Sequence, residues 1–371
     1  MRDITIIGGG LAGLISAILL RRSGLDVVLI EKKHYPFHKV CGEYISNEVI
    51  PFFKRENLLP KVDIAQIDSF KLSAINGKYA TLKLDLGGFG ISRYTLDNHL
   101  YEIAHAEGVE CLVGKSVSEI YYLEDQHRIS IADGSTITSK VVIGAYGKRS
   151  KVDKQLKRKF IERRSPYIGV KYHIKHDHAK NEVALHNFHG GYCGINAVEN
   201  GVSNLCYLST RSNLQMYGDV PTMEKEVLAQ NPLLKDIFDH AEFLFDKPEV
   251  INEISFETKK PVEDHIFMCG DAAGMIAPLC GNGMAMAIHS AKMLSECIIT
   301  HFESNNGFNR TALEGEYSSQ WRKLFARRLS VGRNLQKLFG AGTLSGFTVG
   351  LMKTAKPLAH FLMEKTHGKP F

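Results

Sequence analysis

The sequence predicts an α/β protein: a three-layer ββα unit beginning at the first residues, an antiparallel β-sheet inserted into it, and a helical C-terminus. Three observations predict it. Apolar β-branched runs flank a helical pattern at the start, Ile4-Thr5-Ile6-Ile7, then Leu14 to Arg22, then Val27-Val28-Leu29-Ile30, as in a βαβ unit with buried strands. Between about 160 and 262 the pattern changes to segments such as Ile168-Gly169-Val170-Lys171-Tyr172-His173-Ile174 and Asn204-Leu205-Cys206-Tyr207-Leu208, which read as half-buried antiparallel strands. From His301 onward helical periodicity dominates, longest over Glu314 to Phe339, with Gly340 as its stop.

A chain of 371 residues, 44% hydrophobic and 23% charged, is long enough for two domains and a core that needs no covalent staples. Its seven cysteines (Cys41, Cys111, Cys193, Cys206, Cys269, Cys280, Cys297) stand singly and are odd in number, which argues against a disulfide framework and for a reducing cytoplasm. Met1 to Ile7 run straight into a glycine turn, with no signal-peptide pattern, and no apolar run reaches the roughly 18 residues of a membrane span. The net charge of +6 gathers at the end: Arg322, Lys323, Arg327, Arg328, Arg333, Lys337, Lys353, Lys356, Lys365 and Lys369 stand against Glu364 alone after Trp321. That face is either solvated or in peripheral contact with an anionic membrane surface, so the expected location is cytoplasmic with the membrane surface as the alternative. No nucleic-acid recognition motif accompanies the charge, and nucleic acid is not an expected partner.

The first apolar run ends in Gly8-Gly9-Gly10-Leu11-Ala12-Gly13, a G-x-G-x-x-G placed between strand and helix. Gly8 permits the turn, Gly10 removes a Cβ that would block a pyrophosphate, and Gly13 lets helix and strand approach. The amides of Leu11, Ala12 and Gly13 open the helix toward the phosphates. Ser23-Gly24 ends that helix, and Glu31 closes the second strand where ribose hydroxyls are expected, with Lys32 beside it. An acid there repels a 2′-phosphate, which leaves FAD or NAD. This is the pattern of a Rossmann-like FAD/NAD(P)-binding domain.

Downstream, Ile266-Phe267-Met268-Cys269-Gly270-Asp271-Ala272-Ala273-Gly274 is an apolar strand broken by Gly-Asp, and Pro278-Leu279-Cys280-Gly281-Asn282-Gly283 opens a helix at Met284. Here the chain resembles the p-hydroxybenzoate-hydroxylase-like flavoprotein superfamily. The resemblance implies FAD, with Gly270 and Asp271 at the ribityl chain and Pro278, Gly281, Asn282, Gly283 and Met284 at the flavin. A helix start there would stabilise the negative charge of reduced flavin. Val141-Val142-Ile143-Gly144-Ala145-Tyr146-Gly147-Lys148-Arg149-Ser150 resembles the family's strand and G-A-D-G-x-x-S, with Gly147 kept and Tyr146 in place of the aspartate. Relatives use that segment for both FAD and NADPH, and no second G-x-G-x-x-G exists. NAD(P)H would then be at most a transient electron donor. Arg93-Tyr94-Thr95-Leu96-Asp97 resembles the family's R-x-x-L/F-D, making Arg93 a flavin-side contact, while Asp97 is expected to cap the helix it precedes.

Lys39-Val40-Cys41-Gly42-Glu43 resembles the K-x-C-G element of the geranylgeranyl-reductase-like branch, which implies that Lys39, Cys41 and Gly42 approach the flavin and that Cys41 is either a proton donor or a packed thiol. Gly190-Gly191-Tyr192 keeps the start of that branch's G-G-Y-x-W-x-F-P, but Gly194, Asn196 and Ala197 replace its later residues. The tryptophan-rich halogenase signature is missing from a chain whose one tryptophan is Trp321.

The expected division is an FAD-binding domain over 1–70, 91–160 and 261–300, a substrate sheet over 71–90 and 161–260, and a helical region over 301–371. Phe188, Tyr192 and Tyr207 are either pocket or core, and an apolar or aromatic small molecule is the expected substrate. His173, His176, His178, His186 and His189 follow no ligand spacing, so no metal is expected; His186 or His189 is a candidate general acid. Two chemistries stay open, flavin monooxygenation and carbon–carbon double-bond reduction, beside a third reading of a non-catalytic FAD-binding protein at the membrane surface. The oligomeric state is unread.

Overall fold

The computed structural model of the 371-residue chain describes residues 1–252, 254–277, 281–305, 307–336, 346, 349–352 and 368–371. β1 (Arg2–Ile7), α1 (Leu11–Arg22) and β2 (Val27–Glu31) form the expected βαβ unit. Ile4 to Ile7 run parallel to Val27 to Ile30. All of β2 is buried, which explains why its sequence is continuously apolar rather than alternating. Gly24, at φ +88°, ends α1.

The chain next builds β3 (Tyr44–Ser46), α2 (Ile50–Arg55), β4 (Ala65–Ser73) and β5 (Tyr79–Gly90), and returns through α3 (Arg93–Ala106) to β6 (Glu110–Val113). A meander of β7 (Val117–Leu123), β8 (Gln126–Ile131) and β9 (Thr136–Gly144) brings Val141 to Gly144 parallel to Ile4 to Ile7. After α4 (Lys151–Gln155) come β10 (Tyr167–Lys175), β11 (Glu182–Phe188), β12 (Gly191–Ala197), β13 (Ser203–Thr210), the helices α5 (Arg211–Tyr217), α6 (Val220–Glu226) and α7 (Pro232–His240), and the strands β14 (Glu242–Phe243) and β15 (Glu249–Asn252). β16 (Val262–Glu263) and β17 (Ile266–Met268) rejoin the first sheet, and α8 (Gly283–Phe302) and α9 (Arg310–Gln336) follow.

The first sheet has the order β16-β17-β9-β1-β2-β6 with the β7–β8 meander attached, and the second runs β14-β10-β13-β12-β11-β4-β5-β3. In the first, β1 lies between β9 and β2, so the chain leaves neighbouring strand ends in opposite directions and opens a crevice at the end of β1. The second sheet already draws on Tyr44 to Ser46 and on Ala65 to Phe70, ahead of the hairpin the sequence marks at 71–90.

β10 differs from the half-buried strand its alternation suggests, since Ile168 to Ile174 are all buried. Ile168, Val170, Tyr172 and Ile174 share a core with Met223 of α6, Leu228 just after it, and Leu234 and Ile237 of α7, while Gly169 packs beside Val40 and Lys171 and His173 reach Glu43. A strand between two layers is covered on both faces, whatever its alternation. α9 begins at Arg310 rather than Glu314; the expected stop at Phe339 and Gly340 lies outside the described residues. Gly368 to Phe371 are described, with Phe371 stacked on His289 of α8 at 3.9 Å between ring centroids.

Candidate functional site

The crevice starts at the glycine turn. A Cβ on Gly8 would fall 2.5 Å from the Ala145 carbonyl oxygen, so the turns after β1 and β9 touch, and one on Gly13 would fall 1.9 Å from the Gly8 carbonyl oxygen. Gly10 differs: a Cβ there would meet only the Arg93 guanidinium at 3.5 Å and the Lys39 ammonium at 3.7 Å. Gly10 caps α1 with extended backbone and no side chain, so the first amides of a 12-residue helix and two cations face the same space.

Those cations share one carboxylate. Arg93 donates from Nε and Nη2 to Asp97 at 2.7 Å each, and Lys39 Nζ donates to Asp97 at 2.8 Å. Burial alone would raise the Asp97 carboxyl, but the two cations bring it below its ordinary value. Asp97 is therefore not the helix cap expected from sequence. Ser92 caps α3, its hydroxyl accepting from Thr95 N at 3.1 Å, and Asp97 lies one turn in, buried between the bases. Two positive charges against one leave an excess of one beside Gly10, which suits an anionic pyrophosphate.

Glu31 is buried at the end of β2, accepting from Gly9 N at 2.8 Å and Lys33 N at 3.0 Å, so its carboxylate stays ordered with further lone pairs free for hydroxyls; Lys32 is exposed beside it. Tyr35 donates to the Gly9 carbonyl at 2.5 Å and stacks on Tyr101 at 4.4 Å, backing the turn from behind.

The second candidate segment reaches the same crevice. Gly270, at φ +61°, packs so that a Cβ would lie 3.1 Å from Ala12 Cβ and 3.5 Å from Ala287 Cβ, wedging the Gly270–Asp271 turn between α1 and α8. Lys259 donates to the Asp271 carbonyl at 2.9 Å and the Lys148 carbonyl at 3.0 Å, joining that turn to the one after β9. Burial pulls the Lys259 ammonium down to about 8, with Asp271 opposing. Asn282 is the N-cap of α8 and Gly283 its first residue, with Met284 following. Gly281, at φ +63°, lies against Tyr44: a Cβ there would fall 3.1 Å from the Tyr44 ring. Pro278 lies outside the described residues.

The turn at Cys41–Gly42 sits between the two sheets. Asn204 of β13 donates to the Gly42 carbonyl at 3.0 Å. Burial would lower the Arg93 guanidinium, but Asp97 and the Cys41 thiol carry it above its ordinary value, which puts Cys41 beside Arg93. Contacts therefore link Gly10 to Arg93, and Arg93 to Cys41 and Glu43, while the next residue, Tyr44, meets Gly281.

Other expected residues fall elsewhere. Phe188 and Tyr207 are in the core under α6 and α7, and Tyr192 is in a second cluster with Leu185 and Leu208; all three are core. His186 is buried with Nδ1 2.9 Å from Ser73 Oγ, and burial pulls it down to about 3, so it stays neutral and is no general acid at neutral pH. His189 is exposed in the turn before β12. Tyr146 turns inward, its hydroxyl 3.1 Å from Met268 Sδ and 3.3 Å from Asp153, while Gly147, at φ +82°, has open space around it. Among the described residues no three His, Cys, Asp or Glu side chains gather as a metal site, and the six described cysteines are unbridged.

Sequence reasoning missed Asp97 as a countercharge, Asn204, Lys259, and the Glu43–Lys171–His173 contacts. One signal was available: a lysine inside an otherwise apolar strand, Lys171, needs a buried partner.

The sequence pattern of the FAD-binding domain family matches residues 1–320. The chain belongs to this family. It is an FAD-dependent oxidoreductase. Relatives include the digeranylgeranylglycerophospholipid reductase of Methanosarcina acetivorans, 25% identical over 339 residues that cover 86% of this chain and 80% of that one. The rifampicin monooxygenase of Rhodococcus hoagii is 31% identical over 160 residues, 42% of this chain and 33% of the other. Among solved structures, the flavin-dependent brominase Bmp2 superposes with a TM-score of 0.78 at 18% identity, covering 98% of this chain and 93% of that one. Pseudomonas aeruginosa PqsL gives 0.75 at 17%, covering 95% and 100%. Among the described residues no helix of this oxidoreductase is long and apolar enough to cross a membrane.

The crevice fits FAD on its own terms. Gly10 leaves a Cβ-sized face open between cations and helix amides, and Glu31 is held ready for hydroxyls.

Proposed function

We propose that this oxidoreductase reduces a carbon–carbon double bond in an apolar, isoprenoid- or lipid-like small molecule. The observation that carries the reading is the position of the Cys41–Gly42 turn, tied by Asn204 to the second sheet and lying beside Arg93 of the phosphate-facing cluster. The reductase relatives that extend over 86% of the chain support it. FAD, when bound, supplies the two-electron redox centre. The chain's own part is to bind, to orient and to place a proton. Gly8, Gly10, Leu11, Ala12 and Gly13, with Arg93 and Lys39, hold the pyrophosphate; Glu31 takes the ribose hydroxyls, with Lys32 alongside. Gly147, Gly270, Asp271, Gly281, Asn282, Gly283 and Met284 border the rest of the cofactor. Gly42 lets the backbone approach, and the Cys41 thiol holds the proton that a reduced carbon requires.

In this division 1–70, 91–160 and 261–300 bind FAD, except that 44–46 and 65–70 join 71–90 and 161–260 in the sheet that walls the substrate, and α9 follows as the helical end. NAD(P)H acts at most as a transient donor, because Tyr146 points into the protein where relatives carry an aspartate. The exposed bases of α9, Arg322, Lys323 and Arg327, offer a peripheral contact with anionic lipid.

The test uses purified FAD-loaded enzyme, reduced chemically under nitrogen and mixed with a polyprenyl phospholipid. The expected product gains two hydrogens by mass spectrometry without oxygen. A product that forms only in air and gains one oxygen atom would favour hydroxylation, the reading that the rifampicin monooxygenase stretch supports. No product under either gas, together with no reduction of the oxidised bound flavin by NAD(P)H, would favour the non-catalytic reading.

A further inference from the structure

The Cys41–Gly42 turn is followed by a charged cluster that cofactor binding does not explain. Glu43 is fully buried and, although not a glycine, sits at φ +52°. A side chain disfavours that backbone region, so the surroundings must hold it there. The holding groups come from three elements. Glu43 Oε1 accepts from Lys171 Nζ at 2.5 Å and from Arg93 N, the first residue of α3, at 2.7 Å. Glu43 Oε2 is 2.7 Å from His173 Nε2. The Glu43 carbonyl accepts from Ile91 N at 3.1 Å and Asn196 Nδ2 at 3.4 Å.

The Lys171 and Glu43 side chains are both 0% exposed. Well-packed apolar side chains of similar volume often serve stability as well as a buried ion pair does, whereas hydrogen bonds of fixed direction define a geometry. The geometry defined here spans the two sheets. Lys171 and His173 are alternate residues of β10, pointing away from the α6–α7 core, and the carboxylate they grip is next but one to Cys41. The same carboxylate holds the N–H of Arg93, whose guanidinium faces Gly10.

We propose that Glu43 is a positioning residue through which β10 clamps the Cys41–Gly42 turn and the start of α3, so that the second sheet and the phosphate-facing cations form one rigid unit. The inference rests on the assignment of the Cys41–Gly42 turn to the flavin side made above.

Alkylation of Cys41 by iodoacetamide, followed at that residue by peptide mass spectrometry with and without saturating FAD, tests it. In the wild type FAD slows the reaction by about tenfold or more, because cofactor covers a thiol on a fixed turn. Glu43→Gln/Lys171→Met removes both members of the ion pair and strands no buried charge. Saturated with FAD, that variant is expected to lose protection to about twofold or less and to show a shifted visible flavin spectrum. His173→Gln, which keeps an N–H donor, should retain protection, and His173→Ala should lose part of it. Wild-type protection in both the double variant and His173→Ala overturns the positioning role and leaves the flavin assignment standing. If the double variant does not fold, His173→Ala against His173→Gln decides: equal protection in the two overturns the role. No protection in the wild type removes the flavin-side reading, and the inference with it.

Discussion

Two neighbouring glycines separate ligand binding from folding. Gly10 has extended backbone, φ −89° and ψ −173°, which alanine adopts freely, and its new Cβ would stand in ordinary contact with Arg93 at 3.5 Å and Lys39 at 3.7 Å. Gly10→Ala should therefore cost the cofactor-free protein no more than about 1 kcal/mol, the loss of a good N-cap residue. In the proposed binding mode the same methyl group occupies the face across which a phosphate reaches the first amides of α1. Losing two charge-assisted hydrogen bonds at about 1.5 kcal/mol each removes about 3 kcal/mol, or about 100-fold in Kd. Gly13→Ala places its Cβ 1.9 Å from the Gly8 carbonyl oxygen, backbone that yields only by moving α1 off β1. It should destabilise the cofactor-free fold itself by about 1–3 kcal/mol or more. The assays are fluorescence titration of the cofactor-free protein with FAD and its thermal unfolding without ligand. Gly10→Ala binding FAD within about twofold of wild type would mean that no phosphate lies over Gly10. A large loss of ligand-free stability in the same variant would mean that the face is not open.

Three other outcomes follow from buried charge. Asp97→Asn leaves the Arg93 and Lys39 cations without their carboxylate, a loss of about 3–5 kcal/mol that bound FAD should partly offset, so the FAD-induced rise in Tm should be larger than in wild type; an equal rise would show that these cations do not face the phosphates. Glu224 is raised to about 7 by burial, against the hydrogen bonds from Tyr207 at 2.7 Å and Tyr172 at 3.1 Å. The stability its protonated form contributes is fully present below pH 4.5 and lost as pH rises through about 7. Glu224→Gln should thus match wild type near pH ~5 and exceed it by up to about 3 kcal/mol at pH ~8.5 in urea unfolding, and an unchanged pH profile would refute the burial argument. His127 and His186 are held neutral mainly by burial, each pulled from 6.5 to about 3. They should steepen the loss of stability as pH falls from 6.5 toward 3, at about 1.4 kcal/mol per pH unit for each, read from urea midpoints; a flat profile between those values would sink the assignment.

The parts of the site legible in the sequence are those where one local motif does the chemistry. Gly8, Gly10 and Gly13 follow from backbone crowding within a single strand–turn–helix, and the structure puts the Gly8 carbonyl and the Ala145 turn where those glycines require them. Glu31 at the end of a continuously apolar strand is equally local. Asp97 shows the limit. Its place near a helix start suits a cap, but Ser92 stands five residues earlier and takes that role, and the cluster around Asp97 includes Lys39 from 58 positions away. His186 and the aromatics Phe188, Tyr192 and Tyr207 lie on strands whose periodicity cannot say which layer covers each face; α6 and α7 cover Phe188 and Tyr207, while Tyr192 packs in a separate cluster with Leu185 and Leu208.

By itself the sequence determined the α/β class and the βαβ unit with its glycine turn, because hydrophobic period and glycine sterics act over a few residues. Only the tertiary structure decided that Arg93 and Lys39 share Asp97 beside Gly10, that Tyr146 turns inward, and that Glu43 is gripped by Lys171 and His173 across 128 and 130 positions. Buried charges choose their partners by which surfaces meet after the two sheets pack, and desolvation then makes each pairing obligatory.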